Sequence, residues 1–216
     1  MTQRELNDER LHAIRDTVLR MGGIASEMVR KACEVALTGN QDLSREVIDM
    51  DDQVDWIEDK TAFETVVALM RQSPVGADLR FLASTLRVIG EIEKVADDAV
   101  KLARRGAKLG GQIPADMKVI LSELGETGRQ MLGAALRLYD DYSEDLDREI
   151  VELEKQTDRV FFEAKQKLVE TMRTDPPSAE LAVRTIDCLQ ALEHVADRSS
   201  EITKHLRTQF RPAVAR

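Results

Sequence analysis

The sequence predicts an all-α fold built as two tandem three-helix bundles, six long helices related by an internal repeat. Three observations carry this. Glycine and proline fall almost entirely between long periodic segments. No segment shows sustained alternation of β-branched residues, so strands are not expected. The phrase Ile92-Glu93-Lys94-Val95-Ala96-Asp97 returns as Leu192-Glu193-His194-Val195-Ala196-Asp197, the mark of one structural unit used twice.

The breaks at Gly39-Asn40, Ser73-Pro74-Val75-Gly76, Gly110-Gly111-Gln112-Ile113-Pro114, Tyr142-Ser143 and Asp175-Pro176-Pro177 delimit the helices. The first runs over 8–38 and carries Gly22, Met28 and Ala32. The second, over 43–72, places Val47, Asp51, Asp55, Glu58 and Ala62 on one face. The third, over 77–108, has an apolar stripe of Leu82, Leu86, Ile89 and Val100. The fourth, over 115–141, matches the first when the chain is shifted by 103: Gly22 falls on Gly125, Met28 on Met131 and Ala32 on Ala135. The fifth, over 145–173, aligns Asp51 with Glu154 and Asp55 with Asp158 at the same shift, while Met70-Arg71 meets Met172-Arg173 at a shift of 102. The sixth, over 178–208, matches the third at a shift of 100, with Thr85 on Thr185 and Glu93 on Glu193. The division is therefore 1–109, a linker at 110–114, and 115–216. Small residues such as Gly22, Gly23, Ala25, Ser26, Gly125 and Gly128 read as points of close helix packing.

Composition narrows the function. The chain has 216 residues, 43% hydrophobic and 33% charged, with 5 prolines, which describes a folded globular protein. Its formal net charge of −9 argues against nonspecific nucleic-acid binding, which needs a basic surface. Cys33 and Cys188 form neither a disulfide framework nor a zinc motif and read as small buried apolar groups. The charged first 16 residues lack a signal-peptide core, and no apolar run is long enough to span a bilayer. A cytoplasmic location is expected. No P-loop, nucleophile elbow or zinc-protease motif is present.

The chemistry lies in paired acids. With Glu93 as the zero of angle, Asp97 lies at about 40°, inside the stripe of the third helix. Glu193 and Asp197 repeat this beside Ala182, Ile186 and Leu189. Asp51 with Asp55, and Glu154 with Asp158, supply an i, i+4 pair on each second helix. Acids on a packing face must protonate, pair or bind a cation. Four carboxylates between two helices suit a hard metal ion. The alternative for any single pair is an ordinary solvated surface, with Lys94, Lys101, Arg104 and Arg105 at hand to screen Glu93 and Asp97. Glu9-Arg10-Leu11-His12 has the Glu-x-x-His spacing of di-iron bundles, but such bundles need two copies. His194 is expected at the bundle edge, and Trp56 and Phe63 as bundle contacts or part of a partner surface.

These residues also carry a family resemblance. The two acid-x-x-x-Asp signatures, Glu93–Asp97 and Glu193–Asp197, the turn Pro74-Val75-Gly76-Ala77-Asp78-Leu79-Arg80 and the acids of Asp51-Asp52-Gln53-Val54-Asp55 resemble the PhoU family over about 200 residues. The resemblance implies a cytoplasmic regulator, not an enzyme: an adaptor between the ATPase subunit of a phosphate ABC transporter and a sensor histidine kinase, acting negatively when phosphate is plentiful. It implies homodimers, contact with the membrane only through partners, and metal ions (iron, manganese, magnesium or zinc). Asp51, Asp55, Glu93 and Asp97 would ligate in the first half, and Glu154, Asp158, Glu193 and Asp197 in the second. The second half departs in having Glu154 for Asp and no counterpart of Arg80. The alternative reading is a carboxylate-bridged metalloenzyme, against which the shortage of histidine speaks.

Overall fold

A computed structural model of the chain describes residues 3–72 and 74–210; Ser73, named in the second break, lies outside them. Six α-helices and no strand occur among the described residues: α1 (Gln3–Thr38), α2 (Gln41–Gln72), α3 (Ala77–Leu109), α4 (Ala115–Asp140), α5 (Glu144–Thr174) and α6 (Ala179–Phe210). A short 3-10 turn, Pro176–Ser178, links the last two. The predicted boundaries hold within a few residues, except that α1 begins earlier.

The termini follow from local chemistry. Asn40 Oδ1 accepts from the backbone N–H groups of Asp42 and Leu43, at 3.0 and 3.1 Å, and so caps α2. Ser143 caps α5 by accepting from the Leu146 N–H. α3 stops at Gly110, whose left-handed φ of 58° closes the last turn onto the Gly106 carbonyl.

α1, α3, α6 and α4 pack each on the next as a closed ring, while α2 flanks α1 and α3, and α5 flanks α4 and α6. The buried apolar residues of both halves form one continuous cluster. The 110–114 segment is packed too. Ile113 is buried, and a Cβ on Gly39 would lie 2.5 Å from Gly110 Cα.

The halves meet through equivalent residues. A Cβ on Gly22 would lie 2.4 Å from Leu136 Cδ1, and one on Gly125 would lie 2.4 Å from Cys33 Sγ. Gly22 and Gly125 are repeat partners, as are Cys33 and Leu136, so the two contacts are copies of one another. The small residues thus permit close packing of α1 on α4, as expected. Both cysteines are free, and burial pushes both thiols up to about 12.

The register of α5 on α2 is 103 along their buried faces: Val47 answers to Ile150, Val54 to Thr157, Thr61 to Ala164 and Thr65 to Leu168, all buried. Both helices run on without interruption, so Met70 answers to Arg173. The 102 match of Met70 to Met172 is a likeness of letters, not of position.

Candidate functional site

The second-half acids meet along the seam between α5 and α6. An oxygen from each of Asp158, Glu193 and Asp197 lies within 4.8 Å of the other two. Burial, followed by repulsion from Asp197 and Asp158, pushes the Glu193 carboxyl up to about 7. The Asp197 carboxyl is raised by burial and then by Asp158 and Glu154. Glu154 stands beside them but is drawn aside, with Oε1 3.6 Å from Lys204 Nζ.

The first-half acids line the matching seam between α2 and α3 more loosely. Burial, then Asp97, Glu58, Asp55 and Asp51, pushes Glu93 up to about 6. Burial, then Asp55 and Asp97, does the same to Asp51. Asp55 is raised by burial and by Asp97. Yet among the described residues only the second seam brings three ligand oxygens together. The reason is local. Asp97, with a side chain 49% exposed, leans to Lys101 at 3.5 Å. The sequence placed Glu93 and Asp97 within the core stripe. They stand instead at the open edge of the seam, because α3 is covered most fully on the faces turned to α1 and α6.

The donor chemistry of both seams suits a hard cation, and in the second the donors also converge. The donors are carboxylate oxygens, several are held above their ordinary range by burial and mutual repulsion, and a bound positive charge would relieve both. Glu58 belongs to the first seam as well. It is raised by burial, then Asp59 and Asp55, and the space at Gly90 admits it, since a Cβ there would sit 3.7 Å from Glu58 Oε1. Its place on the face of Asp51 and Asp55 was legible in the sequence.

Sequence reasoning missed a second charged cluster, between α3 and α6. Asp98, 3% exposed, and Glu91, 10% exposed, face α6. Lys101 donates to Asp98 Oδ1 at 2.9 Å and Lys94 to Glu91 Oε1 at 2.8 Å. Their other oxygens look to Arg198, at 4.0 Å from Asp98 Oδ2 and 3.8 Å from Glu91 Oε2. His205 Nε2 is 3.9 Å from Glu91, and His194 Nδ1 3.8 Å from Asp98. The signal was the spacing Glu91–Lys94 and Asp98–Lys101, two i, i+3 pairs seven residues apart. Replacing Arg198 with Met takes the nearest cation from Glu91 Oε2 and Asp98 Oδ2, buried oxygens that the two lysines do not reach, so a loss of about 2 kcal/mol is expected in urea unfolding. Adding Glu91→Met and Asp98→Leu should restore most of it, and a triple variant as weak as the single would refute that cause.

Other expectations resolve simply. His12 contacts its own helix, with Nδ1 2.7 Å from the Asp8 carbonyl oxygen, as an isolated Glu-x-x-His match would. Arg104 acts on Asp51, while Arg105 donates to the Asp187 carbonyl across the α3–α6 interface at 2.7 Å. Trp56 and Phe63 are not bundle contacts; they are 59% and 70% exposed. No helix among the described residues is long and apolar enough to cross a membrane.

Comparison with known proteins agrees with the fold. The family pattern described as the PhoU domain matches twice, at residues 18–106 and 121–206. A phosphate-specific transport system accessory protein PhoU homolog of Pseudomonas aeruginosa is 29% identical over 202 residues, covering 93% of this chain and 81% of that protein. The homolog of Deinococcus radiodurans is 29% identical over 215 residues, covering 94% and 96%. The crystal structure of PhoU from Pseudomonas aeruginosa superposes with a TM-score of 0.89 at 27% identity, covering 94% of this chain and 98% of that one. With two matched domains spanning most of its length, and each seam of acids falling inside one of them, the chain belongs to the PhoU family.

Proposed function

We propose that this chain is a metal-dependent regulator of phosphate transport and of phosphate-starvation signalling. In this reading it is a non-catalytic, cytoplasmic adaptor between the ATPase subunit of a phosphate ABC transporter and a sensor histidine kinase. It works as a homodimer and reaches the membrane only through those partners. The observation that carries the metal part is the convergence of Asp158, Glu193 and Asp197 at the α5–α6 seam. The relatives named as phosphate-specific transport system accessory proteins support the transport part.

Asp158, Glu193, Asp197 and Glu154 would hold an ion in the second half, and Asp51, Asp55, Glu93 and Asp97 in the first. The ion, whether iron, manganese, magnesium or zinc, supplies positive charge that neutralises the acids when bound. The residues themselves set the affinity: carboxyls held near neutral pH must lose a proton before they ligate. Glu58 adds charge to the first seam. Lys204 and Lys101 each pull one acid away and so limit occupancy.

Two measurements test the reading. Elemental mass spectrometry of untagged protein should find metal that is lost in a variant carrying Glu93→Gln, Asp97→Asn, Glu193→Gln and Asp197→Asn. Binding of the purified protein to the transporter ATPase subunit and to the kinase cytoplasmic region should be measurable, and binding to neither would reject the adaptor role. Turnover that tracks metal occupancy would instead favour a metalloenzyme.

A further inference from the structure

The outer face of α2 carries a row of large apolar side chains that stand exposed among the described residues. Trp56, Phe63 and Met70 follow one another at seven-residue intervals and are 59, 70 and 78% exposed. On a helix they fall within about 40° of one another, with exposed Val66 alongside. Phe63 also forms one wall of a groove of about 470 Å³ whose other walls are Ala13, Ile14 and Val67 together with the charged Glu9, Arg10 and Glu64. An exposed apolar stripe of this kind is costly to leave in water and marks a contact surface.

The repeat supplies an internal comparison. In the register fixed by the buried faces, Trp56 answers to Arg159, Phe63 to Gln166 and Met70 to Arg173. The second half folds with polar residues at all three places. The stripe is therefore not required by the fold.

Charge identifies what covers it. Of the nine acidic and three basic residues of α2, Asp51, Asp55 and Glu58 belong to the α3 seam, which leaves six acids against three bases elsewhere on the helix. Exposed Asp52 and Asp59 stand on the stripe's own side of the helix, and half-buried Glu64 lies at its edge. Trp56 already takes a cation on its face, with Lys60 Nζ 5.2 Å from the ring centroid. A second copy of this face would bring the same negative charge against it. A membrane with anionic headgroups would be repelled for the same reason.

We propose that the outer face of α2 is a docking surface for a cationic amphipathic helix of a protein partner. The partner helix lays an apolar stripe over Trp56, Phe63 and Met70 while its Lys and Arg side chains meet Asp52, Asp59 and Glu64. The proposal deepens the adaptor reading and rests on it, since it names where a partner docks.

Trp56 is the single tryptophan of the chain, so its fluorescence reads the surface directly. The probes are two synthetic 18-residue peptides of identical Leu, Lys and Ala composition, one with Leu at helical spacing and one scrambled. The patterned peptide should shift the Trp56 emission saturably and the scrambled one should not. Phe63→Gln with Met70→Arg, which copies the second half, should weaken binding about ten-fold or more. Phe162→Gln on α5, also exposed, should leave it unchanged. Because all three residues are exposed, the variants should keep the parent's urea midpoint.

Equal binding of both peptides, or no effect of the double variant, would overturn the proposal. So would a concentration-dependent dimer, seen by sedimentation, that the double variant abolishes, because the occupant would then be a second copy. Emission shifts with phosphatidylcholine vesicles but not with the patterned peptide would overturn it in favour of a membrane. Loss of the transporter ATPase or the kinase in the double variant is the result expected of the full partners. Undiminished binding of both would sink the surface and leave the adaptor intact; a wild type that binds neither but takes the peptide would sink the adaptor alone.

Discussion

Gly106→Val is expected to leave little folded protein at 37 °C. A Cβ at this position would stand 2.5 Å from the Ala36 Cα and 2.7 Å from its N. Those are backbone atoms of α1, and Ala36 is fully buried, so no side chain can swing aside. One of the two helices must move by about an ångström across a close-packed interface. Overpacking of that kind costs about 3 kcal/mol, and branching adds to it. The gain of about 1 kcal/mol from removing a mid-helix glycine does not offset this. A domain has only about 5–15 kcal/mol in hand. Gly23→Ala is the control: exposed, with nothing within 4 Å of its would-be Cβ, it should gain about 0.5–1 kcal/mol. Urea midpoints of the two variants check both, and a Gly106→Val protein as stable as the parent would mean that α1 and α3 are not in this contact.

The second large effect is a reversal of pH dependence by metal. In chelator, Glu193 titrates at about 7 when folded against an ordinary 4.5, and Asp51 and Glu93 at about 6. Across that window the folded chain binds more protons than the unfolded one, so stability falls as pH rises. The contribution is complete below about pH 4 and gone above about pH 7. A cation inverts the slope, because it binds the deprotonated carboxylates and its affinity climbs through the same window. At a free ion concentration of about 100 times Kd the added stability is about 2.7 kcal/mol, or about 5–10 °C in Tm for a chain of this size. Thermal unfolding at pH 5 and pH 8, with EDTA or with Mn²⁺, measures it. Asp158→Asn with Glu193→Gln and Asp197→Asn should weaken both dependences, leaving the slope set by Asp51 and Glu93. Slopes that survive unchanged in that variant would place the titrating groups elsewhere.

The fold was legible because its punctuation is covalent. Gly110 must adopt a left-handed φ, and the prolines at 114, 176 and 177 cannot continue a helix. The duplicated signatures were legible as residues, but their spacing gave only a shared stripe, and it is the packing of the helices that brings Glu193 and Asp197 to Asp158 of α5. What a single helix could not reveal is which of its faces a distant helix covers. α3 is surrounded by α1, α2 and α6. Its most deeply buried acids are therefore Glu91 and Asp98, on the side away from Glu93. Trp56 and Phe63 misled for a related reason: aromatic rings usually go inside, and nothing local to α2 says that these remain outside. The difference between the seams was equally hidden, since it depends on where Lys101 and Lys204 reach.

The reciprocal contact of Gly22 with Leu136 and Gly125 with Cys33 has the form of an isologous interface: patch a of one half meets patch b of the other, and b meets a. Point-group dimers are built in this way, so the chain is organised as a dimer whose two subunits have been covalently joined. Arg129 lies on the resulting pseudo-axis, donating at 3.4 Å to Ser26, the residue it replaces in the repeat. A fused dimer is free to do what a symmetric one cannot. Each half can change alone, and here one half carries Trp56, Phe63 and Met70 on its outer face while the other has the tighter cluster of acids.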